Sequence, residues 1–311
     1  MTAERQILVT GATGCVGRAV ASAARRRGWR VRGLARQAGH GAGLDGVVLL
    51  AGDVRDAAKV RLAIAGCDAV VHLAGWVHRR PRGDRELAEL RSSIVEGTRV
   101  VASAAAFART RLVMTSSIAV FGPRRTDDGP PAPDTPYGRA KLEAEGVARD
   151  ACHATAILRP ALVFGPNDRG NIARLIRLVD RRMAFVVGDG SNRKSMVHVD
   201  NLADRIIASL EQELTGTWVA ADDPAPTQAE LVRAISQALG RRSPPTVPRW
   251  PMQAVASAFD LVGRSHWRDR VDRLAQSTEF HGFALDQALG YAPRVVWADG
   301  IRTQVEQWKS A

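Results

Sequence analysis

Tyr137 and Lys141 stand four residues apart in the run Pro136-Tyr137-Gly138-Arg139-Ala140-Lys141. In a helix that spacing places both side chains on one face. A cation held beside a phenol favours the phenolate and lowers its pKa from about 10. Such a phenol can exchange a proton with a substrate hydroxyl or carbonyl near neutral pH. The chain contains two tyrosines and four lysines. Chance would put a Tyr-x-x-x-Lys in roughly 0.03 of chains so composed. The plain alternative is a surface pair on a helix.

A second group of residues weighs against that alternative. Thr10-Gly11-Ala12-Thr13-Gly14-Cys15-Val16-Gly17 follows a short apolar strand over 7–10 and opens a helix that runs to about residue 27. Glycines at this spacing let the backbone turn tightly and come close to a pyrophosphate. The helix N-terminus then offers free N–H groups and the positive end of its dipole. Gly11, Thr13, Gly14, Cys15, Val16 and Gly17 are therefore candidate contacts to a dinucleotide.

These residues need a scaffold. Further strands are expected over 31–34, 47–50, 69–73 and 111–115, with helices over about 57–65 and 85–106 between them. Strands alternating with helices imply an α/β protein, a Rossmann-type doubly wound parallel sheet. Beyond residue 160 the alternation loosens. A helix over 172–182, a strand over 195–199 and helices over 201–210 and 228–239 are expected. A Pro-rich break over 243–251 precedes a last mixed region. The organisation read from this is a dinucleotide-binding domain over 1–165 and a smaller C-terminal substrate-binding lobe over 166–311, with about 195–212 returning to the main sheet.

The glycine spacing together with Tyr-x-x-x-Lys resembles the extended short-chain dehydrogenase/reductase family, of the NAD-dependent epimerase/dehydratase type. Other stretches extend the likeness over nearly the whole chain. Gly52-Asp53-Val54 resembles the family turn whose Asp contacts adenine. His72-Leu73-Ala74-Gly75-Trp76-Val77-His78 resembles the turn beneath the cofactor in nucleotide-sugar 4-epimerases and 4-ketoreductases. Val95-Glu96-Gly97-Thr98 matches a further stretch of theirs. Arg159 to Pro166 resembles the turn after the sixth strand, bordering the nicotinamide, which adds Pro160 and Val163. Thr115 to Gly122 resembles the stretch Ser-Ser-x-x-Val-Tyr-Gly. Its catalytic hydroxyl maps to Ser117, with Ser116 the competitor, and Phe121 replaces the usual Tyr.

The resemblance implies a Ser117–Tyr137–Lys141 centre, with Tyr137 and Lys141 also touching the cofactor and Ser117 the substrate. The cofactor is NAD or NADP. Ala35 stands where an acid would hold the ribose of NAD, and Arg36 follows it. A guanidinium attracts a 2′-phosphate, which favours NADP; Arg32 and Arg18 are also near in sequence. Asn171 aligns with a contact to the substrate diphosphate, or it caps a helix. Arg193 and Lys194 align with the cation that pairs with that diphosphate.

The implied activity is oxidation or reduction at C4 of a nucleotide sugar, by a 4-epimerase or a 4-ketoreductase. Two alternatives stay open: NADPH-dependent reduction of an apolar, flavonoid- or steroid-like ketone, and a cofactor-binding scaffold without catalysis. The family also often dimerises through a four-helix contact, so a homodimer is open by analogy.

Composition narrows the partners. The net charge of +12 raises nucleic acid or an anionic membrane as partners. The arginines are scattered in pairs such as Arg181-Arg182 and Arg241-Arg242, with one triplet, Arg25-Arg26-Arg27, and no aromatic interleaving. Solvated charge is the expectation, with no nucleic-acid or membrane partner. Cys15, Cys67 and Cys152 are far apart and odd in number, and neither they nor the seven histidines show metal-ligand spacing. No metal is expected. The reduced cysteines, together with the early first strand, which leaves no room for a signal peptide, point to a cytoplasmic location.

Overall fold

The structure, a computed structural model, describes residues 5–37, 44–76, 81–124, 126–127, 129–248 and 276–310. Strand β1 (Gln6–Thr10) shows why the chain folds as it does. Ile7 and Val9 point into one core cluster and Leu8 into another, so one short strand anchors both faces of a sheet. The same alternation recurs in β2 (Arg30–Ala35), β4 (Ala69–His72) and β5 (Arg111–Thr115). β3 (Val47–Ala51) lies at one edge and β6 (Thr155–Pro160) beyond β5. Next come β7 (Leu162–Phe164), β8 (Val186–Val187), β9 (Met196–His198), β10 (Gly216–Ala220) and β11 (Thr246–Val247).

The main sheet has seven parallel strands in the order β10-β6-β5-β4-β1-β2-β3. All carboxyl ends therefore open on one edge. The strand order reverses beside β1, the switch point at which such sheets form a crevice. The loops after β1, β4 and β5 meet there.

Helices α1 (Cys15–Arg26) and α7 (Val199–Glu211) cover one face. α2 (Ala57–Ile64), α4 (Gly97–Phe107) and α5 (Pro136–Ala151) cover the other, with α3 (Gly83–Arg91) leading into α4. A third cluster, containing Phe164, Ile176, Ile235 and Ile301, gathers α6 (Asn171–Asp180), α8 (Gln228–Leu239) and α10 (Trp297–Lys309) around β7. α9 (Phe283–Leu289) is tied to α7 by Arg205, which is wholly buried. Its guanidinium meets Asp222 at 2.6 Å and Asp286 at 2.7 Å. A buried charge is tolerable because both forks are paired.

Three expectations change. The helix expected over 85–106 winds as α3, one wide π turn (Ser92–Glu96) and α4. The strand expected over 195–199 pairs with β7, outside the main sheet. The strand from the later half that does join that sheet is β10. Its run Gly216-Thr217-Trp218-Val219-Ala220 is a half-exposed edge, without the continuous apolar signal of a central strand. Val77, His78 and residues 249–251 of the Pro-rich break lie outside the described residues. Among the described residues, no helix is long and apolar enough to cross a membrane.

Candidate active site

α5 begins where its sequence says it should. The Thr135 hydroxyl accepts a hydrogen bond from the Gly138 amide at 3.0 Å, and Pro136 takes the first helical position. Tyr137 thus sits in the first turn and Lys141 one turn later. A Cβ at Gly138 would lie 2.4 Å from the Ala119 carbonyl oxygen. Glycine there lets α5 press against the short 3-10 helix Ile118–Arg124 that follows Ser117.

Lys141 is buried, and its Nζ donates to the Thr115 carbonyl at 2.8 Å. It lies 5.9 Å from the centre of the Tyr137 ring. Burial brings the Lys141 pKa down to about 8, opposed by the charge of Glu145. Burial pushes the Tyr137 phenol up to about 12, opposed by a hydrogen bond with Ser117. The expected lowering of the phenol's pKa by Lys141 is therefore not what this arrangement produces. Desolvation sets the direction, and the ammonium spends its hydrogen bond on a backbone carbonyl instead of the phenol. The Ser117 Oγ also accepts from the Ala119 amide at 3.1 Å. The buried Ser116 Oγ has no partner among the described residues. Of the two serines, Ser117 is the one that lowers the phenol pKa.

The turn after β4 is fastened to the end of β1. The Thr10 hydroxyl accepts from the amides of Leu73 at 3.2 Å and Ala74 at 3.3 Å, and lies 2.8 Å from His72 Nδ1. His72 Nε2 lies 3.2 Å from Thr98 Oγ1, which donates to the Ile94 carbonyl at 2.6 Å. Because the Thr98 hydrogen is spent on that carbonyl, His72 must donate from Nε2 and accept from Thr10 at Nδ1. Burial, then the charge of Lys141, pulls the His72 pKa down to about 3, so the ring stays neutral. Gly75 completes the turn: a Cβ there would lie 3.8 Å from the Lys141 ammonium.

The glycine-rich turn has the shape of a phosphate cradle. Gly11 has φ +70°, and a Cβ on it would lie 2.9 Å from the Ala74 amide nitrogen. A Cβ on Gly17 would lie 2.3 Å from the Gly11 carbonyl oxygen, so only glycine lets α1 pack so close. Gly14 caps α1 without a side-chain acceptor, and its first turn holds no acid. The amides there suit an anion. Thr13 presents its carbonyl to Arg18 Nε at 3.1 Å, and Val16 packs on the core. The Cys15 thiol donates to the Pro166 carbonyl at 3.3 Å, and burial pushes its pKa up to about 12, with Asp168 and Asp200 adding to the shift. These features fit a dinucleotide diphosphate.

The remaining candidates divide. Arg36 is exposed just past the end of β2, beyond buried Ala35. Arg32 turns away: its guanidinium donates to the Ala63 and Ala65 carbonyls at 2.7 and 2.8 Å, capping α2. Asp53 is held by Arg55 at 2.7 Å, whose hydrogen bonds keep the carboxyl below its ordinary pKa. Val54 is core, pressed where a Cβ on Gly97 would come within 2.8 Å. Pro160 ends β6 opposite Ala220, and Val163 pairs with Val197.

Asn171 is exposed in the first turn of α6 and does not cap it. Gly170 is the cap residue, and Asp168 accepts from the Gly170 amide at 2.6 Å. The guanidinium of Arg193 donates to the Ala225 carbonyl at 2.6 Å, and Lys194 Nζ donates to the Gln276 carbonyl at 2.6 Å. Loop closure has claimed hydrogen bonds from both cations.

Behind the site lies a buried ion pair that is not among the residues singled out from sequence. Glu145, wholly buried one turn beyond Lys141, receives Arg159 Nε at 2.9 Å and Nη2 at 2.7 Å. The signal was available as Tyr-x-x-x-Lys-x-x-x-Glu, an acid on the inward stripe of the same helix.

The chain resembles known proteins over nearly its whole length. The chain is 28% identical to UDP-glucose 4-epimerase of Vibrio cholerae over 99% of its length and 96% of the relative's. It is 30% identical to a 3-diazoavenalumate denitrifying reductase from Streptomyces, over 95% of this chain and 99% of the relative. The fold matches UDP-glucuronic acid 4-epimerase from Bacillus cereus, solved with NAD, at a TM-score of 0.79 and 18% identity, covering 98% and 99% of the two chains. A profile of the NAD dependent epimerase/dehydratase family matches residues 7–220. With more than half its length matched, the chain belongs to the NAD-dependent epimerase/dehydratase family and is an enzyme of the epimerase and reductase kind.

Proposed function

We propose that this enzyme acts at C4 of the sugar of a nucleotide sugar, through Ser117, Tyr137 and Lys141. One observation carries the reading. The buried Tyr137 phenol, which Ser117 acts on, shares a helix face with a buried ammonium, beside the turn that approaches the glycine cradle. When bound, the nicotinamide supplies or accepts hydride. The Ser117 hydroxyl orients the reacting oxygen, and the Tyr137 Oη moves its proton. With a pKa near 12 the phenol is protonated at neutral pH, the state required to give a proton to a reduced carbonyl. Lys141, near 8, remains mostly charged and stabilises the phenolate left behind. NADP is the proposed cofactor, because the first side chain beyond β2 is the cation Arg36.

Tyr137→Phe should cut turnover of UDP-glucose or a UDP-4-keto sugar by about 10²–10⁴-fold and leave dinucleotide binding intact. Full activity in that variant would remove the phenol from the mechanism.

A second reading, reduction of an apolar ketone, is favoured by the fate of Arg193 and Lys194, both bonded to backbone carbonyls. Salt-sensitive binding of UDP supports the sugar reading. No binding at millimolar UDP supports the apolar one.

A further inference from the structure

Helix α6 has two unlike faces. Ile172, Ile176 and Val179 are buried in the third cluster. On the outward stripe, Arg174, Arg177, Leu178 and Arg181 are exposed at spacings of three and four. The chain then turns back at Arg182, whose φ is +57°, where helix ends favour glycine. That turn keeps Met183 against the helix end, its amide donating to the Leu178 carbonyl at 2.8 Å. Met183 is 64% exposed, Leu178 41% and Phe185 39%.

No carboxylate among the described residues pairs with Arg174, Arg177, Arg181 or Arg182. Asp180, the acid of this helix, is taken by Arg241 at 3.0 Å, and exposed Arg242 follows it.

We propose that this face docks on an anionic lipid bilayer. Arginines would sit on lipid phosphates while Leu178 and Met183, joined at the helix end, enter the boundary beside them. What marks this face is Leu178 and the 64% exposed Met183 set among arginines unpaired with any carboxylate among the described residues, an amphipathic pattern suited to a lipid boundary. A second copy related by a two-fold axis would set arginine against arginine. A nucleic acid would use the charge and leave the apolar groups idle. In sequence the arginines stand as scattered pairs and suggest no membrane partner, whereas α6 collects its own on one side. The stretch leading into α6 also touches the glycine-rich turn, through Pro166 and Cys15. Docking would therefore hold one flank of the crevice near the lipid surface. The proposal does not depend on which substrate is reduced or epimerised.

The test is co-sedimentation of the full chain with vesicles of phosphatidylcholine alone and of equal parts phosphatidylcholine and phosphatidylglycerol. Binding is expected on the mixed vesicles and to weaken with salt. Arg177→Glu with Arg181→Glu should weaken it by about thirtyfold or more. Leu178→Ser with Met183→Ser should weaken it by about tenfold or more, with Tm and dinucleotide binding unchanged. Failure to sediment with the mixed vesicles overturns the proposal. So does a serine variant that binds them as well as the parent, which would mark a general polyanion surface.

Discussion

Glu145→Gln tests whether the buried ion pair behind the site serves both fold and chemistry. The Glu145 side chain is 0% exposed and that of Arg159 12%, and the two are joined by two charged hydrogen bonds. Arg149 adds a longer contact at 3.6 Å. Removing one charge of such a pair strands the other, at a cost of about 3–5 kcal/mol. For a protein of this size the Tm should fall by roughly 5–8 °C. The same change removes the group that holds the Lys141 pKa up, so that pKa should drop below its present value near 8. In the proposed mechanism the charged form of Lys141 is the active one, so the alkaline limb of kcat/KM should move to lower pH. A double variant, Glu145→Leu with Arg159→Met, separates the two effects. Replacing both partners should restore much of the stability, since an apolar substitute for a buried pair is often neutral. The shifted pH limb should persist. An unmoved alkaline limb in both variants would refute the link between Glu145 and Lys141. A stability loss under about 1 kcal/mol in the single variant would refute the structural half.

Further tests are simpler. Ser117→Ala should lower turnover about 10–10³-fold, whereas Ser116→Ala should change stability by less than about 0.5 kcal/mol or raise it, because the Ser116 Oγ bonds nothing described; the reverse pattern would exchange their roles. Arg36→Ala should weaken NADPH by about 10–100-fold and leave NADH nearly unchanged, checked by fluorescence titration. The His72 pKa is lowered in the folded chain from 6.5 to about 3, so between those values the unfolded chain binds the extra proton and stability falls as pH falls. His72→Gln should therefore flatten acid denaturation across that window, and a curve of unchanged steepness would contradict it.

Much of the crevice was legible because its residues are local motifs. The glycine turn, Tyr137 with Lys141, and the strands around β1 each fit within a few residues of sequence. Glu145 and Arg159 are 14 residues apart, and Thr10 meets His72 only through the β1–β4 register. Such pairings follow from sheet order, which no short window contains. Arg32 misled for a related reason: alternation sends it to the opposite face from its neighbours. Arg193 and Lys194 read as free cations because the carbonyls that hold them arrive from distant loops.

The late arrival of β10 and α7 also bears on how the chain can be cut. A fragment ending at residue 165 would retain the glycine turn, Tyr137 and Lys141. It would also lay bare the apolar flank of α1 that α7 shields and leave β6 as an open edge. Such an edge recruits strands from other molecules. The first half of the chain is therefore a tenant of the whole, and truncation at residue 165 should yield aggregates in place of a free-standing module.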